Sequence, residues 1–229
     1  MTAEPVAVRY REGTLHGFLA LRTLDDKILA AGDLTQTVRG NRVVSRLVFR
    51  FEDGSVDDET TVFSQQHDFR LIRNRHIQKG PSFPHPTDVS INAATGQVTV
   101  RYTDDGQEKV ETERLDLPPD LAIGMVLNLL KNIPPDTKET KVSYVAATPK
   151  PRLVKLSIQR QGDAGFSVAG SPYRATIFVV KVELGGITGI IASLIGKKPA
   201  DTRVWVVGGG APAFVKAEQS LYPSGPVWR

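Results

Sequence analysis

Four histidines and one run of carboxylates are the residues of this 229-residue chain whose types best suit chemistry. His67, His76 and His85 are spaced nine residues apart. Neither the i, i+4 spacing of a helix nor the i, i+2 spacing of a strand therefore brings two of their rings together. In the carboxylate run only Asp57 and Glu59 share a face on a strand, because adjacent strand residues point to opposite sides. The pattern predicts surface histidines and no metal site.

No candidate nucleophile stands in a recognisable catalytic setting. The chain has no Cys, which excludes thiolate nucleophiles, thiolate zinc sites and disulfides. Ser167 lies between Gly165 and Gly170, but the spacing is not that of a nucleophile elbow, so we expect it in a loop. A dispersed Ser–His–Asp triad stays open, since its members need not be adjacent in sequence. We expect a protein that is not an enzyme and needs no cofactor.

The charge balance argues against nucleic acid as a partner. The chain has 29 Lys and Arg and 25 Asp and Glu, a net charge of +4, and a nucleic-acid-binding protein concentrates its basic residues on one surface. In the densest basic stretch, 70–79, strand alternation places Arg73 and Arg75 on the face of Phe69 and places His76 on the opposite face. This stretch is typical of a solvated strand. No stretch reaches the ~18 apolar residues of a membrane span.

Alternating apolar and polar residues, interrupted by turn pairs, predict a mainly β chain of about eleven antiparallel strands. Asp53 and Gly54, then Thr95 and Gly96, are dipeptides typical of hairpin turns. The strands predicted from the pattern are 14–23, 43–51, 56–65, 69–78, 97–102, 109–117, 141–147, 153–161, 173–183, 202–207 and 214–221.

Two stretches break the alternation and predict short helices. In 120–133, Asp120 is a candidate N-cap, and the apolar residues that follow it recur at helical spacing until two prolines end the pattern. The second stretch, 185–196, is apolar and does not alternate. We therefore predict one domain, residues 1–229. It contains a single curved antiparallel sheet that forms an unclosed half-barrel, and the two helices cover its concave face.

A resemblance is concentrated in the last third of the chain. In order, this part contains the segments 173–176, 185–191, 199–201, 205–212 and 214–218. The succession resembles uncharacterised bacterial envelope proteins related to the LolA and LppX lipid and lipoprotein carriers. The resemblance implies an unclosed barrel with a helical lid over a hydrophobic cavity. It also implies a periplasmic or cell-envelope location if an upstream signal was removed, and a cytoplasmic one otherwise.

These observations lead to one main functional expectation, which is non-enzymatic binding of a lipid or other apolar ligand between the sheet and the helices. The alternative is a structural or protein-interaction module of the envelope without a small-molecule ligand. A hydrolase that uses dispersed residues ranks third. The residues expected to line the ligand site are Met125, Leu129, Ile187, Ile190, Ile191, Leu194, Phe49 and Trp205.

Overall fold

The computed structural model describes residues 4–104, 106–134, 136–168, 170–183 and 200–229. Within these ranges the chain is mainly β and antiparallel, as predicted, with fourteen strands and one short helix. The first eight strands are β1 (Leu15–Arg22), β2 (Ile28–Arg39), β3 (Arg42–Phe51), β4 (Val56–Gln65), β5 (Phe69–Lys79), β6 (Thr87–Asn92), β7 (Gln97–Asp104) and β8 (Gln107–Arg114). The remaining elements are α1 (Val126–Leu130), β9 (Glu139–Ala146), β10 (Arg152–Val168), β11 (Ser171–Glu183), β12 (Thr202–Val207), β13 (Ala213–Ser220) and β14 (Val227–Trp228).

The prediction of one sheet of about eleven strands is wrong, because the strands form two sheets. β1 to β8 follow one another as an eight-stranded meander, and β9 to β14 form a six-stranded one. The chain leaves the first sheet after β8 and carries α1 before β9 begins, which separates the two ladders. At one corner the sheets meet, since Arg22 and Arg229 exchange backbone hydrogen bonds of 2.7 and 2.8 Å.

Strands β2, β6 and β14 are absent from the prediction. Small and polar residues dominate the sequence of β2, so its apolar alternation is weak. β6 has only six residues and β14 only two, too few for a periodic pattern to stand out. Ser167, expected in a loop, lies instead within the long strand β10.

The first predicted helix is much shorter in the structure than the sequence pattern indicates. α1 has only five residues, and its N-cap position is Met125 without a side-chain cap. Gly124 has a φ of +68°, outside the helical region, so the helix cannot extend back to Asp120. The second predicted helix, 185–196, lies outside the described residues.

Both sheets and the connecting segment share one apolar core. Val43, Phe63 and Val98 contribute from the first sheet and Val142 and Val204 from the second. Leu129 and Leu130 of α1 are buried in the same core. A second, smaller core surrounds the corner where the sheets meet. Its buried members are Leu21, Ala30, Phe49, Phe51, Phe83 and Trp228.

A β-bulge in β5 decides which polar residues face the core. Ile72 is an extra residue there, because the partners of β4 pass from Arg73 directly to Leu71. After one extra residue, every later side chain of the same strand lies on the opposite face from the one that simple alternation predicts. The faces predicted for Arg75 and His76 are therefore reversed: Arg75 points to solvent, and His76 lies on the same face as buried Phe69.

Candidate functional site

One row of side chains crosses five strands of the first sheet and stays partly accessible. Gly17, Leu34, Leu47, Glu59 and His76 are direct neighbours on β1 to β5 in the strand register. All five are half-buried. We call these five residues the open row.

The open row lies on the inward face of the sheet. Its next two positions, on β6 and β7, are Val89 and Val100, which are core residues 4% and 1% exposed. On one side, the neighbouring row contains buried Gln36, Thr61 and Asn74. On the other side, the neighbouring row contains buried Phe49, Asp57 and Gln78. Each neighbouring row also has less buried members, which are Leu15 and Ser45 on the first side and Leu19 on the second. We call the half-exposed row between these two mostly buried rows the groove.

The polar end of this groove is built from β4 and β5. Asp57 and Glu59 share a face, as the alternation predicts, and lie opposite Gln78 and His76. The Nε2 atom of His76 is 3.1 Å from Asp57 Oδ2. Gln78 Nε2 donates to the same Asp57 oxygen at 2.6 Å and to the backbone carbonyl of Leu221 at 2.8 Å. The network thereby connects the first sheet to the C-terminal segment.

His76 is held in its charged form by this arrangement. Burial by itself lowers the pKa of His76, because it disfavours the charged imidazolium. The hydrogen bond to Asp57 and the charges of Glu59, Asp57 and Asp58 outweigh burial and raise the pKa to about 9. At neutral pH the imidazolium therefore carries a proton and donates to Asp57.

Glu59 and Asn74 form the second part of the polar end. Asn74 Nδ2 donates to Glu59 Oε1 and to Thr61 Oγ1, each at 2.9 Å. A carboxylate only accepts hydrogen bonds, so the amide nitrogen must face Glu59. Asn74 is 2% exposed, and its Oδ1 is the buried side-chain atom without a hydrogen-bond partner in the described part of the chain. Buried polar atoms without partners are rare in folded proteins.

The second sheet contributes Tyr144 of β9 to this region. Tyr144 packs against the shared core. Burial raises the pKa of its phenol well above the usual value, and the nearby charge of Glu59 raises it further. The hydroxyl therefore keeps its proton at every physiological pH, so that Tyr144 is a neutral neighbour of Glu59.

Four of the eight residues predicted to line a ligand site are described, and they lie in three separate places. Met125 and Leu129 are 1% and 2% exposed and belong to the core shared by both sheets. Phe49 belongs to the smaller core at the corner. Trp205 lies on the strand face opposite to buried Val204 and is covered by Lys216, whose Nζ is 3.7 Å from the ring centroid.

The other four predicted residues, Ile187, Ile190, Ile191 and Leu194, lie outside the described residues. The sequence prediction missed the open row and its polar neighbours. One signal was available: residues 57–61 of β4 are all polar, so whichever face of this strand turns inward carries polar side chains.

A Ser–Lys pair also escaped the sequence prediction. Lys155 Nζ donates to Ser143 Oγ at 2.6 Å and is 3.3 Å from Asp120 Oδ2. The backbone N–H and hydroxyl of Ser143 both donate to that Asp120 oxygen at 2.8 Å. A catalytic serine needs a base that takes its proton, whereas Lys155 here donates to it. The arrangement attaches the segment before α1 to β9.

Ser143 and Lys155 border an open cavity of about 530 Å³ on the second sheet. Its rim mixes charges of both signs, with Lys150 and Arg152 on one hand and Asp116 and Glu183 on the other. Glu183 is neutralised by Lys141 at 2.6 Å. Lys155 is in turn paired with Asp120, so the remaining rim charges are those of Lys150, Arg152 and Asp116, which sum to +1.

Among the described residues, no three His, Asp or Glu side chains are placed to hold a metal ion. In the same ranges, no helix is long and apolar enough to cross a membrane. No protein-family model matches the chain, and comparisons with curated proteins and with solved structures found no match either.

Proposed function

We propose that this protein binds a ligand with an apolar body in the groove of the open row, without transforming it chemically. The observation that carries the proposal is the row itself. Leu34 and Leu47 lie on the core face of the sheet, yet both remain half-exposed, although Gln36 and Phe49 beside them on that face are buried. An apolar chain that covers them would contribute about 0.8 kcal/mol for each CH₂ removed from water.

The polar end of the groove supports binding rather than catalysis. His76 is the imidazole closest to the ligand position, and a general base must be unprotonated near neutral pH. With a pKa of about 9, His76 is instead a charged group that is hydrogen-bonded to Asp57. The proposed setting is the bacterial cell envelope, and its support is the resemblance of the last third of the sequence to envelope carriers.

A matched pair of variants tests the proposed groove. Leu47 and Val44 are both half-buried apolar residues of β3, but they lie on opposite faces. We expect Leu47→Asn to weaken binding of the neutral fluorescent probe N-phenyl-1-naphthylamine by about tenfold, since a polar amide would replace apolar contact area. Val44→Asn should leave the affinity within about twofold of the unchanged protein. Equal effects of the two variants, or no probe binding by the unchanged protein, would contradict the proposal.

A second candidate function is a protein-interaction module, and one observation favours it. Phe18 of the edge strand β1 is 82% exposed. The opposite edge, β8, is exposed along its whole length but is rich in charged residues, which oppose strand addition. If β1 docks a partner strand, Phe18→Lys should abolish a complex that copurifies with the protein and leave probe binding in the groove unchanged. Copurification that survives this substitution would exclude the β1 edge.

A further inference from the structure

The charges at the polar end of the open row determine which polar head group a bound ligand can have. Its ionisable groups are the carboxylates of Asp57 and Glu59 and the imidazolium of His76. Together they carry one net negative charge. Asp58 does not add to it, because it lies on the opposite face, where Arg46 binds both of its oxygens at 2.6 and 2.9 Å. Tyr144, the neighbour from the second sheet, is neutral.

Three side-chain nitrogens of this end are already engaged, and the Nδ1–H of the His76 imidazolium is the remaining donor of these side chains. His76 Nε2 and Gln78 Nε2 both donate to Asp57. Asn74 Nδ2 donates to Glu59 and Thr61. An anionic head group, such as the carboxylate of a fatty acid, would meet like charge from Glu59 and Asp57 and would have only the Nδ1–H of His76 left as a donor, which is unfavourable away from water.

Acceptors, in contrast, are in surplus. From the described residues Glu59 accepts one hydrogen bond, from Asn74, although a carboxylate offers about four acceptor positions. The Oδ1 atom of Asn74 is buried and unpaired. It belongs to the amide whose nitrogen donates to Glu59 Oε1, so both acceptors belong to one hydrogen-bonded pair of side chains. A donor that reached both would satisfy a buried oxygen and a carboxylate together.

We infer that the open row selects a ligand in which an apolar chain carries a protonated amine, with the ammonium group bound at Glu59 and the chain lying over Leu47 and Leu34. An ammonium group supplies three donors and one positive charge, which matches the surplus acceptors and the net negative charge. The inference rests on the proposed function, because it assigns a head group to a ligand whose apolar body occupies that same groove.

Three probes of equal chain length test this inference: decylamine, decanol and decanoate, each below its micelle concentration at pH 7 and measured by calorimetry. We expect decylamine to bind at least tenfold more tightly than decanol, and decanoate to bind most weakly. If decanol binds as tightly as decylamine, or if decanoate binds most tightly, the inference is overturned and the apolar groove stands. If none of the three binds, the proposed function itself fails.

Two variants assign the effect to Glu59. Glu59→Gln should reduce decylamine affinity about tenfold, because the ammonium group loses its counter-charge, and should reduce decanol affinity by no more than about twofold. The decanol affinity that remains also shows that the groove is folded. Asp58→Asn removes the same charge from the neighbouring position on the opposite face and should leave both affinities unchanged. Equal losses in the two variants would show a general charge effect and overturn the assignment. An unaltered decylamine affinity in Glu59→Gln would also overturn it.

Discussion

Glu12 and Lys131 are 119 residues apart in sequence, and their side chains form an ion pair of 2.6 Å. The side chain of Glu12 is 4% exposed and that of Lys131 is 13% exposed. Glu12 also accepts a hydrogen bond from Gln36 of β2. The pair therefore attaches the segment after α1 to the N-terminal segment and to the first sheet, and it places two charges in a largely dry environment.

Replacing one partner of this pair should strongly destabilise the protein. We expect Lys131→Met to lower the free energy of unfolding by about 3–5 kcal/mol, because Glu12 would remain buried without its counter-charge. Urea denaturation followed by circular dichroism measures the change. In the double variant Glu12→Gln, Lys131→Met, most of the stability should return, since no buried charge remains. A Lys131→Met protein as stable as the unchanged one would show that Glu12 is hydrated.

His76 should make stability depend on pH in a defined direction. Its pKa is about 9 in the folded protein and about 6.5 when unfolded. Because the folded state binds the proton more tightly, the stabilisation is fully present below pH 6.5 and disappears as the pH rises through 9. Relative to His76→Gln, the unchanged protein should lose about 3 kcal/mol between pH 6 and pH 10. Parallel stability curves for the two proteins would contradict this.

Gly124 should tolerate no side chain. A Cβ atom at this position would lie 2.0 Å from Thr61 Oγ1 and 2.4 Å from Asn74 Nδ2. Gly40 is the matched control, because it also has positive φ, +59°, but nothing within 4 Å of the added atom. We expect Gly40→Ala to cost about 1 kcal/mol from backbone strain alone. Gly124→Ala should cost at least about 2 kcal/mol more, since the polar cluster must move apart. Thermal unfolding compares the stabilities of the two variants. Equal losses of stability would show that the polar cluster around Gly124 moves apart without an energetic cost.

Asp120 should matter more for stability than Lys155, although both contact Ser143. Asp120→Ala would leave the buried hydroxyl of Ser143 without its acceptor and its N–H with only the longer bond of 3.3 Å to the backbone carbonyl of residue 120, at a cost of about 2 kcal/mol. The Lys155 side chain is 44% exposed, so Lys155→Ala should cost less than about 1 kcal/mol. Chemical denaturation measures both. A larger loss for Lys155→Ala would show that the lysine, not the aspartate, holds the segment to β9.

Strand prediction succeeded where local patterns were strong. The predicted strands 56–65 and 202–207 have the observed bounds of β4 and β12, because flanking turn residues mark the strand ends. The turn at Gly54 is also as predicted, with a φ of +84°. The length of the helix at 120–133 was overestimated. Periodicity in one segment carries no information about the hydrogen bond between Asp120 and Ser143 of β9, which lies elsewhere in the chain.

The candidate site could not be predicted from the sequence for a similar reason. The apolar residues Met125 and Leu129 were predicted as ligand contacts, yet they fill the core. The groove consists instead of residues from five strands, such as Leu34 and Glu59, whose proximity depends on the register of every ladder between them. Register is a property of strand pairs, so no single segment reveals it.

The sequence by itself determined the mainly β character, most of the strands and the hairpin turns, because alternation and turn dipeptides act over a few residues. The tertiary structure decided the division into two sheets, the short helix and the face on which each polar side chain lies. His76 shows the difference most clearly: alternation counted from Phe69 directs it to solvent. One extra residue, Ile72, turns it inward to Asp57, because a bulge of one residue exchanges the two faces of the strand beyond it.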